Sequence, residues 1–206
     1  MSNVKTILIT GANTGIGLAT AETFVKDGHH VIIACRNLDK ANTAQQHLQS
    51  LNKGQVDVIQ IDLNSLENVN QTANEIIAKY GKLDVLVNNA GMMTPELEAT
   101  VDGYEKQIGV NYLGPFLLTQ KLLPLIKKSE QGRVINLASM MHVLGSIKPE
   151  IFKADQIKKY NGVISYGNSK LANLLFSNAL AKQLEGSNVT SNALHPGGVD
   201  SEIYRE

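Results

Sequence analysis

The chain has 206 residues, 43% of them hydrophobic, enough to bury the core of one compact domain. Its 19 Lys and Arg balance its 19 Asp and Glu, so no basic field is available for nucleic acid or an acidic surface. A single cysteine, Cys35, excludes an internal disulfide and suits a reducing compartment; no stretch reaches the ~20 apolar residues that cross a bilayer, the first residues carry no apolar leader with a cleavage site, and the expectation is a soluble cytoplasmic protein.

Residues 4–10 read as an apolar strand that runs into Gly11-Ala12-Asn13-Thr14-Gly15-Ile16-Gly17 and then into a helical run over 18–26. A strand that reverses into a helix within a few residues needs backbone without a Cβ. The helix start then turns its unpaired N–H groups and positive dipole end toward the turn. A pyrophosphate fits that description. Gly11, Asn13, Thr14, Gly15, Ile16 and Gly17 are therefore candidate cofactor contacts, in the spacing G-x-x-x-G-x-G between a strand and a helix.

Further β-branched apolar runs follow at 31–34, 56–61, 85–87, 134–137 and 189–194, separated by helical patterns over 38–51, 66–80, 103–126 and 163–184. Strands apolar on both faces and alternating with helices predict a parallel, doubly wound, three-layer α/β sheet. No linker or repeat divides the chain, so the expectation is that residues 1–206 form a single dinucleotide-binding and catalytic domain. The one long irregular connection expected is 140–162, and such connections are often functional.

Ligands of such sheets lie beyond the carboxyl ends of the strands. There the sequence places Arg36-Asn37, Asp62-Leu63, Asn88-Asn89-Ala90-Gly91, Ala138-Ser139 and His195-Pro196-Gly197-Gly198. The second strand ends without the carboxylate that would bond a ribose 2′-hydroxyl; it carries Arg36, whose guanidinium can hold a 2′-phosphate. NADP(H) is thus favoured over NAD(H). The glycine turn adds no second basic residue, since Asn13 and Thr14 are neutral.

Tyr166 and Lys170 share one helical face. A phenol titrates near ~10 and needs a neighbouring ammonium to exchange protons at neutral pH. Ser139 offers a hydroxyl where charge develops on a substrate oxygen. Taken alone, the pair fits a half-exposed tyrosine beside a solvated lysine at least as well. Met92-Met93 and Met140-Met141 each follow a strand end and read equally as an adaptable apolar substrate wall or as loop packing, with Met140-Met141 nearer the site. His142 reads as structural, His195 as shaping the turn before Pro196, and Cys35 as a packed strand residue. No His, Cys and carboxylate cluster has metal-ligand spacing.

In order, Thr10-Gly11-x-x-x-Gly15-Ile16-Gly17, Asn88-Asn89-Ala90-Gly91, Asn111, Ser139, Tyr166-x-x-x-Lys170 and His195-Pro196-Gly197 resemble the short-chain dehydrogenase/reductase family across essentially the whole chain. The resemblance implies that Tyr166 is the general acid or base and that Lys170 lowers its pKa and bonds the nicotinamide ribose. It implies that Ser139 orients the substrate oxygen and that Asn111, mid-helix, holds a water linking Lys170 to solvent. Asn88 to Gly91 would support sheet and cofactor, Asp62 would bond the adenine amino group, and the Pro196-Gly197 turn would approach the nicotinamide. Ala34-Cys35-Arg36-Asn37, Leu171-Ala172-Asn173 and the long Ser139–Tyr166 spacing are similar to the retinol-dehydrogenase-like and WW-domain-oxidoreductase-like branch, which implies an apolar carbonyl or alcohol substrate.

Family members pair two helices at a two-fold interface, so the resemblance also implies a homodimer. Apolar Leu117, Leu118, Leu122, Leu174, Leu175 and Phe176 agree with it. Members continue past the His-Pro-Gly turn into a covering helix and a last strand, which this sequence is expected to lack. A cofactor-binding sensor or scaffold without turnover is the alternative of a different class, and a nucleotide-sugar epimerase is a weaker third. The intact Asn111, Ser139, Tyr166 and Lys170 set favours the enzyme.

Overall fold

Each apolar run noted above forms a strand in the computed structural model, which describes residues 4–198; residues 1–3 and 199–206 of the expected domain lie outside the described residues. The strands are β1 (Thr6–Thr10), β2 (His30–Cys35), β3 (Gln55–Gln60), β4 (Val85–Asn88), β5 (Gly132–Leu137) and β6 (Val189–Leu194). All pair in parallel, in the order β3-β2-β1-β4-β5-β6. The order reverses between β1 and β4, where Ile7 stands opposite both Val31 and Val85. That reversal opens a crevice at the carboxyl ends of the two strands.

Side chains alternate across the sheet and build two cores. Leu8, Ile32, Leu86 and Val134 pack against α3 (Leu66–Lys79), α5 (Gly114–Ile126) and α6 (Gly162–Gln183). Ile7, Ile9, Val31 and Ile33 point the other way, onto α1 (Gly15–Lys26) and α2 (Leu38–Gln49). β1, β2 and β4 are covered on both faces, so they carry no polar alternation. The edge strands β3 and β6 are partly exposed.

The helix expected over 103–126 is broken. A short α4 (Lys106–Ile108) is followed by a π-helical segment, Gly109–Leu113, and then by α5. Glu105 starts α4 by accepting the N–H groups of Gln107 and Ile108. Pro115, in the first turn of α5, has no N–H for the carbonyl four residues back, that of Asn111, so the regular ladder cannot run through. Asn111 therefore sits in the widened turn, not in a continuous helix. A second long connection, residues 89–105, also goes beyond expectation; it is tied down by bridges from Ala99 to Glu105 and from Tyr104 to Lys153. The 140–162 connection holds three short 3-10 turns.

Of the apolar helix residues expected at a dimer face, Leu118, Leu122 and Phe176 are buried in the core. Leu175 remains exposed, and so does Phe116, whose ring lies 5.0 Å from that of Phe176.

Candidate active site

The glycine turn is locked from the β4 side. Gly11 has a φ of +66° and donates its N–H to Ala34 O at 2.8 Å. The Thr10 hydroxyl accepts the N–H groups of Asn89 (3.1 Å) and Ala90 (3.0 Å). The Asn89 amide donates back to the carbonyls of Thr10 (2.8 Å) and Gly11 (3.2 Å). A Cβ on Gly17 would lie 2.5 Å from both Asn89 Nδ2 and Gly11 O, so only glycine lets α1 start so close to the strand ends. α2, α3, α4 and α6 are capped by the side chains of Asn37, Ser65, Glu105 and Asn161, whereas Thr14 makes no side-chain cap on α1. The start of α1 therefore has no side-chain cap from Thr14, and a helix start of this kind suits an anion.

A cleft of ≈ 620 Å³ opens from this turn, a size typical of small-molecule sites. Asn13, Thr14, Gly15, Ile16 and Gly17 line one wall, with Asn89, Ala90 and Gly91 beside them. At one end lie Arg36, Asn37, Asp62 and Leu63. Lys40 joins them, a second cation that reading the glycine turn alone had missed. Its signal was its place in the first turn of the helix after β2, one turn beyond Arg36; Asn37 Oδ1 accepts its N–H at 2.9 Å. The loop of Asp62 is fixed by Asn68, whose Oδ1 accepts the Asp62 N–H at 2.7 Å, and Asp62 Oδ1 accepts the Asn64 N–H at 3.0 Å. Cys35 also borders the cleft, but burial pushes its thiol up to about 11, against the N–H groups of Ala12 and Asn13. It is a packing residue, as expected.

At the other end stand Ser139, Tyr166, Lys170, Pro196 and Gly197. Lys170 is buried, and burial pulls its ammonium down to about 8. Its Nζ donates to Leu137 O at 3.0 Å, at the carboxyl end of β5, and lies 5.4 Å from the centroid of the Tyr166 ring. Asn173 Nδ2 reaches the same carbonyl at 3.3 Å. Ser139 Oγ accepts the Met141 N–H at 3.2 Å, which leaves its own proton for another acceptor.

Asn111 is the one residue of the expected set that does not border the cleft. Its Oδ1 accepts the Met92 N–H (2.8 Å), and its Nδ2 donates to Met92 O (2.9 Å) and Ser169 Oγ (3.0 Å). The side chain is thus engaged in holding Met92 to α6. A Cβ on Gly91 would sit 3.4 Å from Lys170 Nζ and 3.5 Å from Asn111 Oδ1, so these two groups approach each other across a bare glycine.

Each methionine pair is split. Met92 and Met141 border the cleft, while Met140 is 59% exposed. With Val110, Leu137 and Ala138 they give the catalytic end an apolar side. His142, whose Nδ1 lies 2.7 Å from Ser139 O, does not itself border the cleft, whereas His195 does. Among the described residues no group of His, Cys, Asp and Glu is arranged to hold a metal, and no helix is long and apolar enough to cross a membrane.

The chain is similar to known proteins in sequence and in fold. The family model described as short chain dehydrogenase matches residues 5–206. Retinol dehydrogenase 12 of Mus musculus is 44% identical over 202 residues, spanning 98% of this chain and 63% of that protein. Retinol dehydrogenase 13 of Mus musculus is 45% identical over 203 residues, 98% of this chain and 60% of that protein. The chain thus spans about three fifths of the length of these curated relatives. A crystal structure of an uncharacterised protein from Mycobacterium paratuberculosis superposes with a TM-score of 0.84 at 37% identity, covering 98% of this chain and 71% of that one. A short chain dehydrogenase from Shigella flexneri, crystallised with NADP, gives a TM-score of 0.78 at 26% identity over 96% of this chain and 80% of that one. With the match covering nearly every residue and the glycine turn, Ser139, Tyr166 and Lys170 gathered on one cleft, the chain belongs to the short-chain dehydrogenase family of oxidoreductases.

Proposed function

We propose that the protein transfers a hydride between NADP(H) and an apolar carbonyl or alcohol, with Tyr166 as the general acid or base. The observation that carries this reading is the buried ammonium of Lys170 beside the Tyr166 ring at the end of a dinucleotide-sized cleft. The uncapped start of α1 and the bare Gly11–Gly17 turn fit a pyrophosphate. Arg36 and Lys40 would hold the 2′-phosphate, Asp62 and Leu63 the adenine, Lys170 the ribose, and the Pro196-Gly197 turn the nicotinamide. When bound, the cofactor supplies or accepts the hydride.

In carbonyl reduction the Tyr166 hydroxyl donates its proton to the substrate oxygen as that oxygen becomes an alkoxide. The Lys170 ammonium stabilises the phenolate left behind. The Ser139 hydroxyl donates a hydrogen bond to the same oxygen, where the charge develops. In alcohol oxidation the phenolate takes the proton back. Met92, Met141, Val110, Leu137 and Ala138 suit an apolar substrate, in keeping with relatives named retinol dehydrogenases.

The test is Tyr166→Phe, assayed by cofactor oxidation over retinoids, steroids, aliphatic aldehydes and quinones. The ring stays, so NADP(H) binding should hold while carbonyl reduction falls by about two to four orders of magnitude, the scale of general acid–base help. Wild-type turnover in the variant would sink the assignment. Tight cofactor binding by a wild type that turns over none of these compounds would favour the sensor or scaffold instead.

A further inference from the structure

A second buried polar centre lies outside the cleft and joins its parts. Glu105 is fully buried. Its carboxylate accepts the N–H groups of Gln107 (3.1 Å) and Ile108 (2.7 Å) and the hydroxyl of Tyr160 (3.0 Å). Tyr160 Oη in turn accepts from Gln107 Nε2 at 2.7 Å and stands 3.1 Å from Thr94 Oγ1. Gln107 Nε2 also donates to Gly162 O at 3.0 Å. None of these residues borders the cleft.

Three chain segments meet at this hub, and each leads directly into the site. Thr94 lies two residues past Met92 in the β4–α4 connection. Glu105 to Ile108 run into the widened turn that holds Asn111. Tyr160 and Gly162 lead into α6 one turn before Tyr166. The fit is close, for a side chain on Gly162 would collide with Thr94 O.

We infer that Glu105 and Tyr160 are positioning residues, which set the placement of Tyr166 by fixing the start of α6 against the segment that carries Asn111. The inference rests on the hydride-transfer reading above. Its physical ground is the choice of polar groups. Burying a carboxylate is costly, and Gln107 Oε1 is left buried without a hydrogen-bond partner. Apolar packing would join the segments at lower desolvation cost, but dispersion contacts have little direction, and a helix held by them can slide or turn a fraction of a residue. Hydrogen bonds of fixed direction resist that slip. The hydroxyl of Tyr166 must meet a substrate oxygen within hydrogen-bond range, so such a slip is costly here and harmless at most other helix starts.

Tyr160→Phe removes one hydroxyl and keeps the ring; Glu105→Gln keeps the shape and one acceptor. Both should leave the dissociation constant for NADP(H) within about twofold. Both should lower kcat for carbonyl reduction about 10- to 100-fold, the scale of an ångström misplacement, with a smaller change in KM. In the cofactor-free protein, the 13C-tyrosine ring signal of Tyr166, assigned with Tyr166→Phe, should shift in both. A folded Tyr160→Phe protein with wild-type kcat and an unmoved Tyr166 signal overturns the inference, even if it melts at lower temperature. Should the wild type reduce no carbonyl compound, the hydride-transfer reading fails on its own, and the ring signal still decides the placement of Tyr166.

Discussion

The ammonium of Lys170 stands 5.4 Å from the centre of the Tyr166 ring, one helical turn away on α6, with Leu137 O as its hydrogen-bond acceptor at 3.0 Å. Burial pulls its pKa from 10.5 down to about 8. Below about pH 8 folded and unfolded chains both carry the proton, and the folded one bears the full cost of burying it. Between about pH 8 and the ordinary lysine value the unfolded chain holds more protons, so stability rises with pH. Lys170→Met should therefore be more stable than wild type at pH 7, by about 1–3 kcal/mol after allowance for the lost hydrogen bond. Leu137 O keeps Asn173 as a donor. The gap should close toward pH 10. Urea unfolding at both pH values checks this, and an unchanged gap would separate the effect from Lys170 ionisation.

The same ionisation predicts the rate profile. Carbonyl reduction should decline as pH rises through about 8, since the charge proposed to stabilise the Tyr166 phenolate would be lost there. A kcat profile flat to pH 10 would show that the ammonium is not the charge at work.

Gly17→Ala tests the locked turn. The new Cβ would lie 2.5 Å from Asn89 Nδ2 and Gly11 O and 2.9 Å from Ala12 Cα. Two of these atoms are backbone of the Gly11-Ala12 turn and cannot swing aside, so α1 must move off that turn. A stability loss of about 1–3 kcal/mol is expected, with NADP(H) binding reduced more than tenfold. Gly28→Ala, where a Cβ meets nothing within 4 Å but φ is +84°, is the control: it should cost stability and spare the cofactor. Equal cofactor affinity in both variants would mean that the turn does not hold the pyrophosphate.

Cofactor choice can be titrated. Arg36→Ala should weaken NADP(H) by about 1.5–3 kcal/mol, the scale of a hydrogen bond to a charged group, and leave NAD(H) nearly unchanged. Lys40→Ala should act in the same direction, and the double variant should lose the preference. Tighter binding of NAD(H) by the wild type would overturn the assignment of the 2′-phosphate to this pair.

Association is the remaining expectation to measure. Phe116 on α5 and Leu175 on α6 keep apolar surface in water, 37% and 49% exposed, although Phe176 beside them is buried. A two-fold pairing of these helices would cover both. Light scattering should give a dimer at micromolar concentration and a monomer for Leu175→Glu; a monomeric wild type would refute the pairing.

Much of this was legible in the order of residues. Apolar runs such as Ile7 to Ile9 and Val31 to Ala34 specify strands because a sheet covered on both faces excludes polar groups from every position. The glycine turn is local geometry, and Tyr166 and Lys170 share a face through helical periodicity alone. Arg36 and Asp62 could be placed at the cleft because parallel strands deliver their carboxyl ends to one edge.

Packing across the chain decided the rest. The side chain of Asn111 finds its partners in Met92 and Ser169, which lie far from it and from each other along the chain. Glu105 meets Tyr160 across the 89–105 and 140–162 connections. Periodicity records which face of a segment is buried. It does not record the distant donor that a buried carbonyl or carboxylate will find. That pairing exists only once the segments dock, because a polar group withdrawn from water must take whichever partner the packing brings within about 3 Å.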